Sequence, residues 1–86
     1  MNDTKALSEI QRLARLNRIV YTGHAILRMD DRGASRDDVR SALITATSAR
    51  LQERGTWRVD GGRDLEGDDL TAIVDLEADV IVVTLF

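Results

Sequence analysis

The single histidine of this sequence, His24, stands four residues before Arg28 and eight before Arg32. On a helix, positions four apart are turned by only about 40° around the axis, so the three side chains form one narrow stripe. A neutral imidazole can accept a proton, and guanidinium groups beside it can stabilise charge building on phosphoryl oxygens. The stripe therefore suits attack by a ribose 2′-hydroxyl on its adjoining phosphate. Plainer uses compete with this one. A lone histidine often serves only as a hydrogen-bonding group, and helix arginines often pair with neighbouring aspartates such as Asp30 and Asp31.

A stripe needs a helix to carry it. Thr22 has a side-chain oxygen suited to an N-cap, Gly33 suits the left-handed position past a helix end, and neither proline nor a further glycine lies between Gly23 and Gly33. The pattern predicts a helix from Gly23 to Arg32. Ala25, Ile26 and Met29 fall beside the stripe, so one flank can pack on a core while the other looks along a cleft.

Upstream, Leu7, Ile10, Leu13, Ala14 and Leu16 recur at mostly three- and four-residue spacing and predict an amphipathic helix over Thr4 to Leu16. Arg18 to Tyr21 reads as a short extended link. Ser35 followed by Asp38 has capping-box spacing, and Val39, Ala42, Leu43 and Ala46 continue a third helix from Arg36 to Ala46. From Thr47 the pattern changes. Ala49 to Glu53, Thr56 to Val59, Leu70 to Leu76 and Val80 to Phe86 read as strands, the last two joined by a polar Glu77-Ala78-Asp79 turn. Helices first and strands after them predict a single α+β domain over residues 1–86. Its N-terminal helices pack on one face of an antiparallel sheet of about four strands, with residues 1–17 an additional N-terminal helix.

The chain has 86 residues, enough for one core. Cysteine is absent, so thiolate metal sites and disulfides are excluded, and no apolar run approaches the length of a membrane span. A cytoplasmic location without membrane association is the expectation. The net charge of −3 argues against nucleic acid, but its distribution is uneven. Between Arg12 and Arg54 nine arginines face five acids; from Gly55 onward two arginines face eight. Arginine is the residue suited to bidentate recognition of phosphate or carboxylate.

The acidic stretch from Asp60 to Asp69 lacks the ligand order of a calcium loop, and Gly61-Gly62 is no dinucleotide fingerprint. No metal and no cofactor is expected. Trp57 in a half-buried strand reads as core in preference to a base-stacking platform. Val80 to Phe86 carries no charge and no proline, so as an open edge it would pair with another chain. It is either central in the sheet or covered, which raises a homodimer through this C-terminal strand.

The Tyr21-Thr22-Gly23-His24-Ala25 run with Arg28-Met29 and Arg32-Gly33, the Ser35-to-Leu43 helix, the Trp57-to-Asp64 stretch and the closing Ile81-Val82-Val83-Thr84 strand resemble the domain of unknown function 4258 family. The resemblance runs from about Arg18 onward. That family is similar to the RelE-type ribonuclease toxins, which implies a small RelE/barnase-like fold and a metal-independent endoribonuclease acting on RNA, neutralised by an antitoxin protein. It also implies roles: His24 as acid or base, Arg28 and Arg32 as a phosphate clamp, and Thr84 as a hydrogen-bonding or orienting group. The acidic total departs from the basic character of such toxins. A non-catalytic protein-interaction or oligomerisation module of the same fold is the competing reading.

Overall fold

The structure, a computed structural model, describes residues 1–86. Three helices, α1 (Asp3–Arg15), α2 (Gly23–Arg32) and α3 (Arg36–Thr45), and five strands make up an α+β domain. The strands are β1 (Ile19–Tyr21), β2 (Ser48–Leu51), β3 (Trp57–Asp60), β4 (Ala72–Leu76) and β5 (Val80–Leu85), ordered β1-β5-β4-β3-β2 across one sheet. No helix is long and apolar enough to cross a membrane.

The expected four-stranded antiparallel sheet is corrected on two counts. The extended link before α2 is a true strand, and it joins the sheet parallel to β5, with Ile19 beside Val80 and Tyr21 beside Val82. A three-residue strand is too short for periodicity to reveal, and each of its residues pairs with one 61 positions further along the chain. The remaining pairs are antiparallel. β5 therefore runs between β1 and β4, the central alternative for Val80 to Phe86. Beyond Val82, the β1 edge of β5 meets Thr22 and Arg28, which donate to the Val83 and Leu85 carbonyls.

Alternation puts one face of each strand into the core. Trp57, Val59, Ala72, Val74, Val80 and Val82 are buried, while Arg58, Asp60, Ile73 and Ile81 face the other way. The alternation slips once. A bulge sets Ile73 opposite Thr84 but Val74 opposite Val82, so Val83 is the extra residue. The slip turns Leu85 into the core, fully buried, and puts Thr84 on the open face with Ile73. Strict alternation from Val80 would have buried the threonine and exposed the leucine.

One cluster of 19 buried residues joins the helices to the sheet. α1 belongs to it through Ala6, Ile10, Leu13 and Ala14. α1 and α3 also close each other's ends. Arg40 donates to the carbonyls of Ala14 and Arg15 at 2.8 and 3.0 Å, and Gln11 donates to those of Ile44 and Ala46 at 3.1 and 3.0 Å. Each side chain reaches carbonyls at the C-terminal end of the other helix, where fewer intrahelical donors remain.

The loop after β3 is pinned along α3. Ser41 and Thr45 hydrogen-bond the Arg63 backbone, and Asp38 accepts from the Leu65 N–H. Gly62 allows this approach, since a Cβ there would lie 2.0 Å from the Ala42 carbonyl oxygen. Gly62→Ala is expected to cost about 2 kcal/mol by overpacking. Gly23→Ala, at the start of α2 with open space around it, is expected to gain about 0.5 kcal/mol. Urea unfolding of both variants checks the pair.

Asp38 also completes the Ser35 capping box. Backbone N–H groups of Ser35 and Leu65 hold its carboxyl below the usual aspartate value of 3.8. A lowered folded-state pKa gives stability that is fully present above the unfolded value and lost as pH falls through the folded one. Asp38→Asn is accordingly expected to be less stable than the parent at neutral pH. The gap should close in acid, which thermal melts from pH 7 down to 2 would show.

Candidate functional site

α2 has the boundaries its caps dictate. The Thr22 hydroxyl accepts from the Ala25 N–H at 3.1 Å, and Gly33 sits in the left-handed region with φ 67°. The same hydroxyl donates to the Val83 carbonyl at 3.0 Å, so one oxygen ties the start of α2 to the bulge in β5. From there α2 continues the line of β1 along the C-terminal half of β5, burying Ala25 and Met29.

His24 lies on the exposed first turn, and no side-chain hydrogen bond or ion pair of the fold orients its ring. One turn on, half-buried Arg28 donates from Nε to the Leu85 carbonyl at 3.2 Å. Arg32, exposed, donates from Nη2 to the Asp69 carbonyl at 3.1 Å. Neither arginine pairs with an aspartate. Each guanidinium instead holds one backbone carbonyl, which fixes its plane and leaves its other N–H groups available to an anion. Ile26 and Leu27 flank the stripe at 41% and 64% exposure.

Thr84 is not part of that stripe. Its strand is adjacent, but its side chain occupies the sheet face turned away from the helices, in a row with residues the sequence did not single out. Arg50 directly opposes Arg58 across β2 and β3, Arg58 opposes Ile73, and Ile73 opposes Thr84. Two like charges face to face across adjacent strands repel. Asp60 offsets them: Arg58 Nε donates to both carboxylate oxygens at 3.1 Å, and Arg50 Nη2 to one at 3.3 Å. The Arg58 guanidinium also lies 5.7 Å from the Phe86 ring centroid. Alternation in Trp57 to Asp60 already places Arg58 and Asp60 on one face, but the strand register is needed to bring in Arg50.

Tyr21 completes the surroundings of α2. Arg36 lies 5.0 Å over its ring, and burial pushes its phenol above the ordinary tyrosine range. Its hydroxyl donates to the Arg36 carbonyl at 3.4 Å. Trp57 is 6% exposed and belongs to the core.

An exposed imidazole and two anchored guanidiniums on a helix laid against a mixed five-stranded sheet define a small α+β domain with an arginine-rich surface on each side of β5. The chain belongs to the family described as Domain of unknown function (DUF4258), whose profile matches residues 21–86. α1 and most of β1 lie outside the matched stretch. No curated protein and no solved structure matched the chain.

The Arg28 and His24 side chains differ in what they hold. Arg28→Ala removes the donor at the Leu85 carbonyl and is expected to cost about 1 kcal/mol, whereas His24→Ala is expected to stay within about 0.5 kcal/mol of the parent. Urea denaturation of the two variants side by side is the check.

Proposed function

We propose that this protein is a RelE-type endoribonuclease toxin with a RelE/barnase-like fold, acting on RNA without a metal and held inactive by an antitoxin partner. The observation that carries the reading is the exposed His24 one turn from Arg28, whose guanidinium is anchored to β5 by Nε alone. His24 takes the proton of the ribose 2′-hydroxyl as it attacks the phosphate. The remaining N–H groups of Arg28 and Arg32 stabilise the charge that gathers on the phosphoryl oxygens. Thr84, on the far side of β5, serves by orienting RNA that reaches across the sheet and not by touching the reacting atoms. The exposed Ile26 and Leu27 beside the stripe are a surface that an antitoxin would cover.

The same apolar pair favours the second reading, a non-catalytic interaction module that uses α2 to bind another protein. Induced expression of the wild type is expected to arrest growth and fragment total RNA. His24→Ala is expected to relieve both, and to lower cleavage by the purified protein about a hundredfold or more, with chelator making no difference. Normal growth with intact RNA from a soluble, folded wild type would reject the nuclease and leave the interaction module.

A further inference from the structure

We propose that the open face of the sheet binds single-stranded RNA, with Arg50 and Arg58 taking backbone phosphates and Phe86 stacking on a base. The proposal shares the choice of RNA with the reading above but not its chemistry, and it stands even if α2 cuts nothing.

The charge arrangement is the first support. One carboxylate, Asp60, answers two guanidiniums, so the cluster keeps one positive charge in excess. Arg50 and Arg58 retain 62% and 40% of their side-chain exposure, whereas Asp60 retains 25%. The carboxylate is tucked beneath and the cations stand above it. Asp60 ties both arginines to one carboxylate through Arg58 Nε and Arg50 Nη2, and each keeps further N–H groups outside that contact.

Shape and chemistry point to a nucleic acid strand. The row from Arg50 through Arg58 and Ile73 to Thr84 crosses four strands, three inter-strand spacings or about 14 Å. A row of that length suits linked phosphates better than one free phosphate. Phe86, 47% exposed, stands beside Arg58 and offers a π-face to a base. An aromatic ring beside a guanidinium on an open sheet is how single strands are held without strong sequence preference. The Thr84 hydroxyl ends the row, and that of Thr71 lies beside it, donating to Asp60 at 3.5 Å. Asp75 of β4 is a second acid on this face, in the next row beside Ile81. An acidic protein segment would use the arginines but has no need of the ring.

The test measures fluorescence anisotropy of the whole chain with a short labelled 2′-O-methyl oligouridylate at low salt, a probe that lacks the 2′-hydroxyl needed for cleavage. Wild type is expected to bind, Arg50→Gln and Phe86→Leu to weaken binding about tenfold each, and salt to weaken it throughout. Asp60→Asn, which removes the internal competitor for the arginines, is expected to tighten binding severalfold. A variant that merely damaged the fold would not tighten. Absence of binding by both wild type and Asp60→Asn would overturn the proposal, as would binding indifferent to Arg50→Gln. Full displacement by uridine monophosphate would make the face a mononucleotide site, and full displacement by polyglutamate an acidic-protein site; either result rejects single-stranded RNA.

Discussion

The structure depends on how β5 is enclosed. This strand is almost wholly apolar, and an unpaired edge on it would carry backbone donors and acceptors ready to join any other strand. β4 covers one edge as a hairpin partner, and β1 covers the first half of the other in parallel. Where β1 ends, Thr22 and Arg28 donate side-chain hydrogen bonds to the Val83 and Leu85 carbonyls. The Thr22 hydroxyl is the hinge of the arrangement, because it also caps α2. A single side chain thus joins the end of the covered sheet edge to the start of the helix that carries the His24 stripe.

The bulge at Val83 decides which face each of the last residues of β5 joins. Leu85 enters the core, and Thr84 is handed to the opposite face. The residues grouped by resemblance as one site are divided between two surfaces that share β5. On one, α2 holds a titratable ring and two guanidiniums fixed by carbonyls. On the other, two guanidiniums are fixed by a carboxylate. In both places an anchor orders a long side chain in advance, which lowers the conformational entropy that holding an anion there would cost.

The fold outside this region is fastened through polar groups at helix ends. Arg40 and Gln11 each reach the C-terminal carbonyls of the opposite helix, which locks α1 to α3 in one register. The loop after β3 is laid along α3 through Gly62, Thr45 and Asp38, so the acidic half of the chain is braced by a helix of the basic half. α1 lies outside the stretch that matches the family, yet it contributes four residues to the core. Without it, the helix-facing side of β2 and β5 would lose cover.

Local chemistry alone was enough to place α2 from Gly23 to Arg32, since an N-cap hydroxyl and a left-handed glycine act within a few residues of the chain. The capping box of α3, the core position of Trp57 and the segregation of helices from strands were legible for the same reason: each rests on spacing or on the burial preference of one residue type. The parallel pairing of β1, the bulge at Val83 and the opposition of Arg50 to Arg58 were not legible. Each depends on register between segments that are remote in sequence, and register is selected by the packing of the whole sheet against its helices. The sequence by itself determined which residues could carry charge, a proton or an aromatic face. Only the tertiary structure decided that Thr84 and the His24 stripe stand on different sides of β5, because a one-residue slip in a strand reverses every side chain beyond it.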